Sequence, residues 1–213
     1  MQLLTTLPDF ILHFDKYLPL IVAAYGIWTY IMLFFIIFLE AGLFIFPYLP
    51  GDSLLFITGA LAEKGVLNLG LVLLLLTLAA IIGGIINYWI GRLFGHAIMN
   101  RKSPVIRKEY IEHTHEYFEK YGAFTIFIAR FIPIVRSFAP FFAGIGEMNF
   151  IHFMVYNVAG GIAWVCVFVI GGYLFGNIPA VQDNFGLVII AIIGVSLLGL
   201  VPLLIKWFRL SED

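Results

Sequence analysis

Charge is scarce in this sequence. Lys, Arg, Asp and Glu make up 12% of the 213 residues, where a soluble globular domain carries about a quarter. Twelve basic and thirteen acidic side chains nearly cancel, leaving a formal net charge of −1. That balance excludes the basic stripe that a nucleic-acid surface needs. Cysteine is almost absent. Cys166 stands alone in an apolar run, so no internal disulfide forms, and no CxxC or Cys/His metal spacing exists. Catalytic signatures are missing too: there is no G-x-S-x-G, no P-loop and no H-E-x-x-H. His96, His113, His115 and His152 are scattered. The reading is therefore of a non-enzyme without metal or cofactor. Met1–Lys16 holds Asp9 and Asp15 and lacks a basic stretch leading into a cleavage site. The expectation is that the first membrane helix directs targeting, with no removable leader.

What the chain does have is apolar surface. Hydrophobic residues make up 62% of it, too much for one small core in water. A spanning helix needs about 20 apolar residues, and four stretches qualify: 18–39, 66–91, 150–175 and 187–205. Tyr17, Trp28, Tyr30, Tyr88, Trp89, Tyr173 and Trp207 lie mostly near their ends, as interfacial anchors do.

Two further apolar stretches are broken. Residues 40–62 contain Pro47 and Pro50, and residues 121–148 contain Pro133 and Pro140. Proline removes a backbone donor and clashes with the preceding turn. In hydrocarbon such breaks survive only where protein or a water-filled cavity surrounds them. Both stretches read as re-entrant hairpins.

Charge placement fits that reading. Arg92, Arg101, Lys102, Arg107, Lys108 and Lys120 cluster in one loop, which the positive-inside rule makes cytoplasmic. Residues 177–184 hold no Lys or Arg, whereas Lys206 and Arg209 follow the last span. Every segment agrees only when both broken stretches re-enter. The termini are then cytoplasmic, and the hairpins open to opposite faces.

The expected fold is an all-α integral membrane protein. It has four transmembrane helices, two inverted re-entrant helical hairpins and a cytoplasmic amphipathic helix. It forms a single membrane domain over 1–213. The first half covers 18–95 with hairpin 40–62. A linker helix covers 96–120, where apolar residues recur at helical spacing between charges; an ordinary connector helix reads equally well. The second half covers 121–176 with hairpin 121–148, and the final span is 187–205. A shift of 85 residues pairs Phe56 with Phe141, Gly59 with Gly144, Tyr88 with Tyr173 and Gly91 with Gly176. Paired interrupted segments point to a site near the bilayer midplane.

Ionisable groups at membrane depth are rare and mark function. Glu40 ends the first span. Asp52 lies in L-P-G-D-S at the first hairpin turn, and Arg130 and Arg136 lie in A-R-F-I-P-I-V-R at the second. Each has a structural alternative. Glu40 can reach the interface, Asp52 can cap a helix, and the arginines can be counterions. Taken together they fit a transport site. Arg presents a planar donor fork to phosphate or carboxylate, so Arg130 and Arg136 are the substrate-binding candidates. Burial disfavours a charged carboxylate and a nearby arginine favours it, so Glu40 and Asp52 are candidates for proton coupling or charge balance. Asn87 and Asn157 are polar within spans and read as helix bridges.

The stretches F-L-E-A-G-L-F-I-F-P-Y-L-P-G-D-S and A-R-F-I-P-I-V-R-S-F-A-P-F-F-A-G resemble the DedA family of bacterial inner-membrane proteins, over nearly the whole chain. The resemblance implies a multi-pass protein of the bacterial inner membrane that supports envelope integrity. It implies membrane lipids and protons as partners. It also implies flipping of an anionic lipid phosphate, with undecaprenyl phosphate first, and essential roles for the residues matching Glu40, Asp52, Arg130 and Arg136. One departure is visible: many members carry an acidic residue where this chain has Gly84. The rival expectations are a proton-coupled exporter of small ions or drugs, a membrane-embedded lipid-phosphate enzyme, and a structural membrane protein. The oligomeric state is left open.

Overall fold

A computed structural model describes residues 24–43, 51–100 and 124–176, together with Ile178 and Val181. All regular structure among the described residues is helical: α1 (Trp28–Gly42), α2 (Gly51–Glu63), α3 (Leu69–Asn100), α4 (Phe124–Ala129), α5 (Pro133–Ile145) and α6 (Phe150–Phe175). In lipid each backbone N–H and C=O must be satisfied within its own segment, which selects helices. Two helices have apolar stretches long enough to cross a bilayer, Leu69–Phe94 and Phe150–Phe175, each of 26 residues. At 1.5 Å per residue that is about 39 Å, against a hydrocarbon core of about 30 Å. Their outer faces carry exposed Leu71, Leu74, Ile82, Val155 and Ile162, the surface that lipid covers. The protein is a helical membrane protein. The expected final span 187–205, the linker beyond residue 100 and the Pro47 turn lie outside the described residues.

Two boundaries differ from the sequence reading. Glu40 continues α1 rather than opening a hairpin limb. Pro140 lies inside α5 without ending it, while Pro133 starts that helix. The physical reason lies at residues 130–132. The N–H groups of Arg130, Phe131 and Ile132 bond back three residues to Phe127, Ile128 and Ala129, at 3.1–3.3 Å. This tightens and ends α4. A residue before proline is pushed out of helical space, and Ile132 is extended, with φ −115° and ψ 108°. Proline in the first turn loses no hydrogen bond, so α5 begins there.

The long helices share a start. Asn68 Oδ1 accepts the N–H of Leu71 at 3.0 Å, and Asn149 Oδ1 accepts that of Ile151 at 2.9 Å. Each cap satisfies a helix-end donor. The preceding turns also match. Gly65 (φ 72°) and Glu147 (φ 53°) take left-handed backbone conformations. One residue further on, Val66 N–H and Met148 N–H each bond back at 3.0 Å, to Leu61 O and Ala143 O.

The chain divides into two compact units. Unit one takes its described residues from 24–36, 51–76 and 165 onward; unit two takes 37–43, 77–100 and 124–164. Within unit one, α2 is buried from Gly51 through Ala62 and packs on the last turns of α6. A Cβ on Gly59 would fall on the carbonyl of Val169, and one on Gly172 on the carbonyl of Phe56. Within unit two, α5 packs on α3 in the same way. A Cβ on Gly144 would fall on the carbonyl of Tyr88, and one on Gly91 on that of Phe141. Each short helix thus offers Phe-x-x-Gly to a glycine on a long helix, and the backbones touch, as small residues allow in membranes.

This geometry corrects the single 85-residue shift. The short-helix pairs Phe56/Phe141 and Gly59/Gly144 keep it, but the long-helix partners are Gly91 with Gly172, 81 residues apart, not Gly91 with Gly176. The caps Asn68 and Asn149 are also 81 apart. The difference of four residues is about one helical turn, so the error leaves the apolar pattern undisturbed.

Gly144→Ala is expected to lower the thermal midpoint of the purified protein, by roughly 1–3 kcal/mol of overpacking cost. Gly171→Ala, where a Cβ meets nothing within 4 Å, should leave the midpoint unchanged or raise it through helix propensity. Parallel melts in detergent check both.

Candidate functional site

Unit two gathers three of the four candidate ionisable groups. Glu40 lies in the last turn of α1, where Gly83 lets α1 and α3 approach. A Cβ there would lie 2.8 Å from Phe38 O and 2.9 Å from Ala41 Cβ. Arg136 lies one turn into α5, its N–H bonded to Ile132 O at 2.8 Å. The two side chains form an ion pair through Arg136 Nη2 and Glu40 Oε1, with exposures of 7% and 2%. The Arg136 guanidinium also covers the indole of Trp164, 4.7 Å from the ring centroid. Trp164 is itself buried. Arg136 is therefore held by charge and by cation–π attraction, both strengthened away from water.

Arg130 is anchored differently. It occupies the α4–α5 break and is 3% exposed. Its Nη2 donates to Ala80 O at 2.9 Å and to Asn157 Oδ1. Asn157 in turn donates from Nδ2 to Ile81 O at 3.1 Å. A membrane helix normally keeps its carbonyls for itself; here those of two α3 residues serve α6 and the break.

Asn87 bridges the two helices that carry the ion pair. Its Nδ2 donates to Ser137 O at 2.6 Å and approaches Ala41 O at 3.4 Å. Ser137 follows Arg136, and Ala41 follows Glu40. Asn87 and Asn157 thus act as the helix bridges expected of them.

Asp52 belongs to unit one. It lies in the first turn of α2, 6% exposed, where the positive end of the helix dipole favours a carboxylate. The structure brings Glu40, Arg130 and Arg136 into one unit, and Asp52 stands in the other.

Residues 49–174 match the VTT domain family. The chain belongs to the VTT-domain, or DedA, family. It is 52% identical to Protein DedA of Escherichia coli (strain K12) over 201 residues, covering 93% of this chain and 92% of that protein. An uncharacterised membrane protein of Mycobacterium tuberculosis (strain H37Rv) is 41% identical over 166 residues, covering 76% and 73%. Inner membrane protein YqjA of Escherichia coli (strain K12) is 38% identical over 152 residues, covering 70% and 69%. No solved structure matches.

In this VTT-domain protein Gly84 has a specific place. A Cβ there would lie 2.8 Å from Arg130 Nη2 and would strike Asn157 Oδ1. Position 84 therefore faces Arg130 directly, and the missing side chain lets Asn157 take that guanidinium. Sequence reasoning missed Trp164 and Ser137. Trp164 did carry a signal: it stands mid-span, whereas membrane tryptophans favour interfaces. Ser137 carried none.

Removing one member of a buried ion pair costs about 3–5 kcal/mol, whereas replacing both by apolar groups is often neutral. Arg136→Met alone is expected to destabilise the fold strongly. Arg136→Met with Glu40→Leu should recover much of the loss. Thermal melts of the two variants beside the native protein check this. Gly84→Ala, which displaces Asn157 from Arg130, is expected to cost less stability than Arg136→Met, as the same melts would show.

Proposed function

We propose that this protein is a transporter of the bacterial inner membrane that moves an anionic lipid phosphate between leaflets, with undecaprenyl phosphate the first candidate. The carrying observation is a charge imbalance. Among the described residues of unit two, the buried charged groups are Arg130, Arg136 and Glu40, two positive and one negative. Arg136 is paired with a carboxylate, while Ala80 O and Asn157 Oδ1, which accept hydrogen bonds from Arg130, are neutral. Two buried cations sharing one carboxylate are costly, and an anionic headgroup supplies the second negative charge. The N-terminus of α5 adds donors to the same place. Ile132 provides no side-chain cap, and uncapped helix N-termini bind phosphate.

The surroundings suit a lipid. On α4, Ile126 and Ala129 are buried while Phe124 and Ile128 are half exposed. Apolar surface therefore lies within two turns of Arg130, where an acyl or prenyl tail can remain in hydrocarbon while the headgroup is bound. In this reading Arg130 and Arg136 bind the phosphate, Glu40 and Asp52 balance charge and couple protons, and no bond is made or broken. The undecaprenyl chain itself is carried by the family resemblance alone.

The test is a reconstituted flip assay. Labelled undecaprenyl phosphate is placed in one leaflet of liposomes, with and without a proton gradient. Native protein is expected to accelerate crossing, and Arg130→Ala and Arg136→Ala are not. Gradient dependence is expected in the native protein and should disappear in Glu40→Gln. No acceleration by folded native protein would end the lipid reading and favour export of small ions or drugs.

A further inference from the structure

Unit two holds a third arginine, Arg92, near the end of the apolar stretch Leu69–Phe94 of α3. It is half-buried. It lies about 35 Å along the helix from Leu69, just past the thickness of a hydrocarbon core of about 30 Å. An arginine at that depth ordinarily buries its stem and extends its charge outward into water. Arg92 turns the other way. Helical side chains lean toward the N-terminus of their own helix, and here a hydroxyl fixes that direction. Arg92 Nη1 donates to the Tyr88 hydroxyl oxygen at 2.9 Å, one turn deeper. That oxygen is available because its own proton is donated to Met148 O at 2.6 Å. The guanidinium also lies over the Trp89 ring, 5.8 Å from its centroid, close enough for cation–π attraction. Both rings are set by α6. Tyr88 stacks on Phe153 with centroids 4.5 Å apart, and Trp89 lies 5.7 Å from Phe150. Arg92 is thus held in place before any ligand arrives, which lowers the ordering cost of binding one.

What holds Arg92 is neutral. Among the described residues no carboxylate pairs with it. A guanidinium offers five N–H donors, and Tyr88 takes one. The surrounding surface is apolar: Trp89, Leu93 and Phe94 are all exposed. An oriented cation in an apolar collar at the bilayer edge matches a phosphate that carries acyl chains. Arginine pairs well with phosphate oxygens, and aromatic side chains settle at headgroup level. Free phosphate would answer the charge and leave the collar uncovered; a lipid answers both.

We propose that Arg92, Trp89, Leu93 and Phe94 form a docking site for an anionic phospholipid of the surrounding leaflet. The donors of Arg92 that Tyr88 leaves open take the phosphate, and the exposed apolar side chains take the acyl chains. Tyr88 is the positioning residue. The site is separate from the buried one: Arg130 bonds the same helix at Ala80, about 18 Å nearer its start. Docking needs only that α3 ends at the membrane surface. It does not depend on transport.

The experiment reads Trp89 fluorescence in full-length protein reconstituted into phosphatidylcholine vesicles. A fixed minor share of the lipid carries bromine on its acyl chains, as phosphatidylglycerol in one set and phosphatidylcholine in the other. The Trp89 signal is the difference between a protein and its Trp89→Phe counterpart. In native protein, brominated phosphatidylglycerol is expected to quench that signal several-fold more than brominated phosphatidylcholine. Arg92→Gln, at unchanged thermal midpoint, should remove the excess, and Arg130→Gln should keep it. Excess inorganic phosphate at matched ionic strength should not displace it. Equal quenching by the two lipids in native protein, or an excess that survives in folded Arg92→Gln, overturns the site. An excess lost in Arg130→Gln assigns the preference to the buried arginine, and one displaced by inorganic phosphate assigns it to the free ion; either also overturns it. The readout involves no lipid crossing, so failure of the transport reading leaves this one standing.

Discussion

A guanidinium taken out of water must be answered by other polar groups, and this protein buries two of them in one helical unit. Most of what is unusual about the unit follows from that demand. Arg136 is answered by Glu40 and the face of Trp164. Arg130 is answered by an asparagine and a main-chain carbonyl. To supply those groups, α3 gives up carbonyl capacity at Ala80 and Ile81, α1 comes close enough to place Glu40, and α6 contributes Asn157 and Trp164. The break before Pro133 is what puts Arg130 at a turn and Arg136 one turn along the following helix. The break lets Arg130 reach α3 and α6 while Arg136 reaches Glu40 on α1 and Trp164 on α6.

The same chain solves its other packing problem without charge. In each unit a short helix and a long helix meet backbone to backbone through glycine and a Phe-x-x-Gly element. Lipid offers little hydrophobic drive for helix association, so close van der Waals contact has to supply it. The two units repeat this contact, and among the described residues the second combines it with buried arginines. Its repeat partner holds Asp52 at a helix start instead. The shared contact supplies the scaffold, and the proposed function rests on the residues that differ between the units.

Much of this was legible in the sequence because hydrophobicity and proline act locally. The apolar helix at 150–175 was read to the residue, and the break in the stretch 121–148 lay beside Pro133 as expected. Glu40, Arg130 and Arg136 stood out because charge is so rare here. Other features were out of reach. Pro140 is tolerated inside α5, because a proline's effect depends on whether its surroundings can absorb the lost hydrogen bond. The one-turn difference between the repeat registers was invisible, since a shift of four residues keeps an apolar face apolar. The roles of Trp164, Ser137 and Gly84 depend on distances between helices, and no sequence spacing encodes those. The neutral anchoring of Arg130 is the clearest case. Only the structure puts Gly84 against its guanidinium and shows why a small residue there admits Asn157.

The central claim is that Arg130 carries the positive charge that a lipid phosphate neutralises. Its most direct measurement is equilibrium binding of a short-chain lipid phosphate to the purified protein in neutral detergent, followed by phosphorus NMR. The account predicts saturable binding by the native protein and at least tenfold weaker binding by Arg130→Gln, about 1.4 kcal/mol or more. Neither protein should bind the corresponding uncharged alcohol. Equal phosphate binding by native protein and folded Arg130→Gln would contradict it.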